Sequence, residues 1–207
     1  MRSRSCNRCE RCRMREDLCI CSELPTITTK TRVVIVMHKC EVLKSTSTAR
    51  LLQNILPNCV SFVVGLPEDL PGHSIDLTDE LAPSSHPLVL YPETGCKELS
   101  YEDSERSTTL IVPDGTWTQA KRILHRREEL WRVPRRQLPV GRRTSYTLRR
   151  NQAPEGMCTA EAVARALGIL EGSARGGVVQ DQIESAVRLM VERVTWSRRT
   201  SKLFHRC

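Results

Sequence analysis

Two kinds of apolar pattern alternate along the chain. Arg32-Val33-Val34-Ile35-Val36-Met37 is an unbroken β-branched run, and shorter runs of the same kind fall at 60–64, 88–91 and 109–112. Such runs suit strands buried on both faces of a parallel sheet. Elsewhere apolar residues recur at helical spacing. Residues 45–56 start on Ser/Thr and stop before Pro57, and 117–130 carries Ala120, Ile123, Leu124 and Leu130 on one side. The stretches 159–170 and 178–196 are similarly amphipathic. Residues 66–86, rich in Pro and acids, read as an irregular loop. Strands alternating with helices predict an α/β fold, a mostly parallel sheet with helices on both faces. Ligands of such sheets sit beyond the carboxyl ends of the strands. The polar turns after Met37, Tyr91 and Val112 lie there.

The 207 residues leave room for one sizeable domain and a small appendage. With 4% aromatics the core must be aliphatic. Residues 1–16 are basic and polar, without the apolar stretch of a secretory signal, and no apolar run is long enough to span a bilayer. A cytoplasmic protein without membrane contact is therefore expected, and a monomer. In that compartment clustered cysteines mean metal or catalysis rather than disulfides. The expected division is a cysteine-rich metal-binding segment at 1–24, a catalytic domain at 25–196 and a basic tail at 197–207.

Charge is focused rather than spread. Residues 121–150 hold eleven Lys/Arg against two acids, a surplus larger than the +8 of the whole chain. Residues 67–106 run the other way, with ten acids against two bases. The segments before Cys9 and after Arg193 are also basic. A polyanion such as RNA is the natural partner for such focusing, and a solvated basic face is the plainer alternative.

Cys6, Cys9 and Cys12 are spaced by two residues, and Cys19 and Cys21 follow. Four thiolates on two tight knuckles make a closed tetrahedral zinc site, and a segment this short of apolar residues needs a metal to fold. Cys9, Cys12, Cys19 and Cys21 are the expected ligands, with Cys6 spare. An iron–sulfur cluster is the alternative. The remaining cysteines are scattered and read as small buried or incidental thiols.

The turn Asp114-Gly115-Thr116-Trp117 directly follows the 109–112 run. Asp114 reads either as a cap of the following helix or as a chemical group at a strand end. Further motifs are Tyr91-Pro92, Tyr146-x-Leu148-Arg149-Arg150 and Cys158-Thr159-Ala160-Glu161-Ala162. Together with the front cysteines, these resemble the DTW-domain family, the tRNA-uridine aminocarboxypropyltransferases, over about Cys9 to Ala166. Met14, Cys96, Thr144 and Cys158 depart mildly from the family's usual residues.

The resemblance implies a SPOUT-like, Rossmannoid sheet and raises the prospect of a knotted C-terminal half. It also implies transfer of the 3-amino-3-carboxypropyl group of S-adenosylmethionine to N3 of a tRNA uridine, at position 47 or in the D-loop, with release of methylthioadenosine. Tyr91, Pro92, Thr116, Trp117, Tyr146, Arg149, Thr159, Glu161 and Ala162 would then surround the cofactor. Asp114 would either take the N3 proton or bind the cofactor ammonium. Trp117 has stacking or helix packing open to it. Arg149 has the cofactor carboxylate or an RNA phosphate. Glu161 has a site role or mere complementarity to its helix dipole. Arg142, Arg143 and Arg150 fit contacts to the RNA backbone. An RNA methyltransferase using the same cofactor and a non-catalytic zinc-ribbon RNA-binding protein are the competing readings.

Overall fold

The computed structural model describes residues 7–68, 70, 75–104, 107–141, 144–148 and 156–204, with side chains up to Arg199. Its centre is a six-stranded sheet. In chain order the strands are β1 (Arg32–His38), β2 (Cys59–Val64), β3 (Pro87–Leu90), β4 (Lys97–Glu98), β5 (Thr109–Asp114) and β6 (Arg135–Gln137). Their spatial order is β2-β1-β5-β3-β6-β4, and every pairing is parallel. Four helices accompany them: α1 (Thr48–Ile55), α2 (Trp117–Arg126), α3 (Thr159–Leu170) and α4 (Gly176–Phe204). Helices cover both faces, as the alternation predicted.

The period of two along the strands sorts the core. Val33, Ile35, Leu110 and Val112 face the side covered by α1, α3 and α4. Val34, Val36, Val89 and Ile111 face α2, where Ile123 and Leu124 meet them. The α3–α4 packing is unusually close. A Cβ built on Gly176 would lie 2.0 Å from the Gly168 carbonyl oxygen, so only glycine allows the two backbones this approach.

Several elements differ from expectation. The expected helix over 117–130 ends at Arg126; a 3₁₀ turn, Glu128–Leu130, follows and keeps Leu130 buried. β4, two residues at the sheet edge, and β6, three residues beside it, are charged strands below any pattern a sequence carries. α4 runs on to Phe204, so most of the expected tail at 197–207 is helix. The expected separate segment at 1–24 shares the main core: Cys12, Met14, Leu18 and Ile20 are buried in one cluster with α1, α3 and α4. Among the described residues no helix is long and apolar enough to cross a membrane.

Candidate functional site

β1 and β5 lie side by side at the middle of the sheet, with Met37 opposite Asp114 at their carboxyl ends. Each strand then turns sharply. A side chain on Gly115 would press to 2.9 Å from the Gln119 side chain, so the turn needs glycine for space. Thr116 caps α2: its Oγ1 accepts from the Gln119 N–H at 3.3 Å, and its own N–H donates to Gln119 Oε1 at 2.8 Å. This reciprocal box satisfies two otherwise orphan donors. Asp114 is therefore not the cap of α2.

Asp114 instead points to the opposite face, only 5% exposed. Thr159, the first residue of α3, donates its hydroxyl to Asp114 Oδ1 at 2.5 Å. The carboxylate thus sits where the end of β5 meets the start of α3. The start of α1 joins them, with Thr48 Oγ1 accepting from the Ala160 N–H at 3.4 Å.

Glu161 organises the neighbouring loop. It is 3% exposed. Thr144 Oγ1 and the Cys158 N–H donate to its Oε2 at 2.5 and 3.1 Å. The Ser145 N–H and hydroxyl donate to Oε1 at 2.7 and 2.9 Å. Burial alone would raise this carboxyl, but the hydrogen bonds from Thr144, Cys158 and Ser145 outweigh it and hold it below the usual glutamate range. Both oxygens being engaged by the chain itself, Glu161 serves as a clamp rather than a simple complement to the helix dipole. Tyr146 is buried too, and its hydroxyl donates to the Thr46 carbonyl at 3.1 Å, tying the 144–148 segment to the approach to α1. Ala162 is half-buried on α3 and packs against the same core.

The other side of the crest is aromatic. Tyr91, just past β3, and Trp117, opening α2, meet edge to face with ring centres 5.9 Å apart and planes at 62°. Trp117 is 57% exposed. Pro92 follows on the surface. Burial, then the charge of Glu93, raises the Tyr91 phenol above its ordinary value. His38 ends β1 on this side, near both Gly65 and Gly115. Its Nδ1 accepts from the Cys40 N–H at 3.3 Å, and burial lowers its pKa.

The structure thus brings Asp114, Thr159, Glu161 and Tyr146 to one side of the crest and Tyr91, Trp117 and His38 to the other. Thr46, Thr48, Thr144 and Ser145 were not expected there. The Ser/Thr run before α1 carried only a helix-start signal. Arg142, Arg143, Arg149 and Arg150 lie outside the described residues, as does Cys6.

The four front thiols form a separate centre. The Sγ atoms of Cys9, Cys12, Cys19 and Cys21 all lie within 4.8 Å of one another. Cys9–Cys21 and Cys12–Cys19 are each 3.8 Å apart. With zinc–sulfur bonds of about 2.3 Å, a tetrahedron has edges of about 3.8 Å, so the donor set fits one zinc ion. A cubane cluster bonds each cysteine to a different iron and holds the sulfurs farther apart. Arg13, at φ 62°, turns the first knuckle back so that the Cys9 N–H reaches the Met14 carbonyl at 2.8 Å. The Cys12 N–H, the main influence on the Cys9 thiol, helps hold it down at about 6. Burial raises the Cys12 and Cys21 thiols of the same centre, and it likewise pushes Cys59 and Cys158 up to about 12 in the core.

Known proteins resemble most of this chain. The DTW domain model matches residues 6–195. A tRNA-uridine aminocarboxypropyltransferase 2 of Drosophila melanogaster is 31% identical over 171 residues, covering 80% of this chain and 67% of the fly protein. The protein of the same name from Mus musculus is 30% identical over 169 residues, covering 79% of this chain. The chain spans 56% of the length of that mouse relative. The S-adenosylmethionine-dependent rRNA:acp-transferase Tsr3 of Vulcanisaeta distributa superposes with a TM-score of 0.43 at 17% identity, over 78% of this chain and 98% of that one.

Proposed function

The chain belongs to the DTW-domain family, and on that premise we propose that it is a tRNA-uridine aminocarboxypropyltransferase using S-adenosylmethionine. The fold is read as SPOUT-like, with a knotted C-terminal half as part of that reading. The observation that carries the function is the placement of Asp114. It is a buried acid at the end of a central strand, relieved of capping by Thr116 and held by Thr159.

In the proposed reaction the uridine N3 loses its proton and its lone pair attacks Cγ of the aminocarboxypropyl group. The Cγ–S bond breaks, its electron pair returns to the sulfonium sulfur, and neutral methylthioadenosine leaves. Asp114 either receives the N3 proton or holds the substrate ammonium so that Cγ lies in line with N3. Trp117, beside Tyr91, offers an exposed π-face to the adenine or to a uridine drawn out of the tRNA stack. Glu161 and Tyr146 position the 144–148 loop against the site. In this reading Arg149 pairs with the substrate carboxylate. Arg142, Arg143 and Arg150 bind RNA phosphates without reading sequence. Cys9, Cys12, Cys19 and Cys21 hold zinc, which supplies a cross-link for the front segment and no step of the transfer.

The test is nucleoside mass spectrometry of tRNA incubated with the protein and S-adenosylmethionine, starting with the variable-loop uridine at position 47. Aminocarboxypropyl-uridine together with methylthioadenosine is expected. Methylated nucleoside with S-adenosylhomocysteine would make the protein a methyltransferase, and no product would leave it a binding protein.

A further inference from the structure

The proposed chemistry draws on the end of β5 but not on that of its neighbour β1. The two strands lie side by side. The helix that follows β1, α1, packs on one face of the sheet through Leu51, Leu52 and Ile55. The helix that follows β5, α2, packs on the other face through Ile123 and Leu124. Where adjacent parallel strands send their chains to opposite faces, a crevice opens beyond the strand ends, and open α/β sheets bind their ligands there. Asp114 closes β5 at this point, and His38 closes β1.

His38 is half-buried and bracketed by two glycines. Gly65 follows Val64, the partner of His38 on β2, and a Cβ built on it would lie 3.7 Å from Nε2. A Cβ on Gly115, on the β5 side, would lie 3.4 Å from the His38 Cβ. Neither position covers the ring with a side chain, and Gly65 is exposed. Nδ1 accepts from the Cys40 N–H at 3.3 Å and so caps the 3₁₀ turn Lys39–Glu41. Burial lowers the pKa of the ring, with Glu41 opposing and Lys39, Arg122 and Lys44 adding to the effect. The imidazole is therefore neutral at pH 7. A neutral imidazole whose Nδ1 accepts carries its proton on Nε2. The cap uses Nδ1 alone, and the Nε2–H remains as a donor beside exposed backbone.

Loss of the N3 proton leaves uridine as an anion, with its charge largely on the two carbonyl oxygens that flank N3. We propose, resting on the transfer reaction proposed above, that His38 is a further catalytic residue whose Nε2–H donates to one of these oxygens as the charge develops. His38 transfers no proton and breaks no bond. Its hydrogen bond holds the uridine anion until the N3 lone pair attacks Cγ, the kind of stabilisation a fixed donor gives a developing oxyanion. The cations Lys39, Lys44 and Arg122, whose fields reach the ring, favour the same charge.

Two substitutions separate this role from the cap. Asn carries its amide oxygen close to where Nδ1 lies, so His38→Asn keeps the cap and loses the distal donor. Gln carries its amide nitrogen close to where Nε2 lies, so His38→Gln keeps the donor and loses the cap. His38→Asn should lower kcat about 100-fold, with little change in the KM for tRNA or for S-adenosylmethionine. His38→Gln should stay within about tenfold of wild type. The second readout is tRNA carrying 5-fluorouridine, whose N3 is more acidic and whose anion needs less help. On that substrate the deficit of His38→Asn should shrink about tenfold. Because the two substrates are compared within one variant, a loss of folded protein cancels.

Near-normal kcat in His38→Asn with a damaged His38→Gln would make His38 a cap and nothing more. An equal deficit of His38→Asn on uridine and 5-fluorouridine substrates would likewise overturn the donor role. A wild-type protein that forms no aminocarboxypropyl-uridine would defeat the proposed function and this inference together. A wild-type protein that forms it, beside a fully active His38→Asn, would defeat this inference alone.

Discussion

The Thr159 hydroxyl and Asp114 Oδ1, 45 residues apart in sequence, lie 2.5 Å apart in space and close the junction between β5 and α3. Because Thr116 and not Asp114 caps α2, the carboxylate can be altered without touching the cap. Asp114→Asn keeps size and can still accept from Thr159, but it can neither take a proton nor hold a cation. The variant should lose activity on the order of 100-fold or more, with a nearly unchanged melting temperature. Calorimetric titration with S-adenosylmethionine then separates the roles. Intact affinity assigns proton removal to Asp114, and lost affinity assigns ammonium binding. Near-normal product formation would remove Asp114 from the chemistry.

Glu161 predicts a pH effect. Its folded carboxyl is held below the usual range, so the unfolded chain binds that proton more readily. The stabilisation is complete above the ordinary glutamate pKa of about 4.3 and is lost as pH falls toward the lower folded value. Glu161→Gln should cost about 2–4 kcal/mol at pH 7, because it strands buried donors. The gap between wild type and variant should narrow between about pH 5 and pH 3. Denaturant unfolding of both proteins across that range checks it, and a constant gap would show that the clamp does not depend on charge.

What could be read before the structure depended on whether the signal was local. β1 was legible because Val33 to Met37 are all buried, leaving an unbroken apolar run. The front cysteine cluster was legible from spacing, which offered five thiols, Cys6 among them, for four places. Asp114 was legible as a residue in a special turn but not in its role: Thr159, its partner, comes from another element, and the competing cap lies two residues on. Glu161 showed only as an acid in a first turn, since its clamp on Thr144 and Ser145 depends on how a loop folds back. β6 escaped because Arg135 to Gln137 are polar and become a strand only by pairing with β3 and β4. The end of α2 escaped because Leu130 stays buried through a 3₁₀ turn that keeps the apolar spacing.

Two adjacent glycines should respond in opposite ways. Gly176→Ala places a methyl 2.0 Å from the Gly168 carbonyl oxygen, so α3 and α4 must separate, at a cost of about 2 kcal/mol or more. A Cβ on Gly177 meets nothing within 4 Å. Gly177→Ala should therefore stabilise by about 0.5–1 kcal/mol through helix propensity. Thermal denaturation of the two single variants is sufficient, and equal effects would mean that the close α3–α4 crossing is wrong.

The basic window predicts a separable RNA effect. Neutralising Arg142, Arg143 and Arg150 together should weaken tRNA binding and reduce its log–log salt slope by roughly 1 for each phosphate no longer neutralised. The affinity for S-adenosylmethionine should hardly change. An unaltered salt slope would reduce the window to solvated surface.

The metal prediction is the most direct. Two of the Sγ separations, Cys9–Cys21 and Cys12–Cys19, are 3.8 Å and match the edge of a single-ion tetrahedron, and all four atoms lie within 4.8 Å of one another, so elemental analysis should find one zinc per chain and no acid-labile sulfide. Iron with sulfide would overturn the assignment. Removal should be felt beyond the front segment. Cys12, Met14, Leu18 and Ile20 are buried in the same cluster as Leu52 of α1 and Val187 of α4, so loosening the knuckles withdraws side chains from the main core. A loss of about 3 kcal/mol would lower the melting temperature of a chain this size by roughly 10 °C. Chelation should therefore shift the single unfolding transition of the whole protein downward, and Cys12→Ser should reproduce the shift without chelator. A chelated protein that unfolds in two steps, with the sheet's transition unmoved, would show instead that the front segment is an independent unit resting on the core.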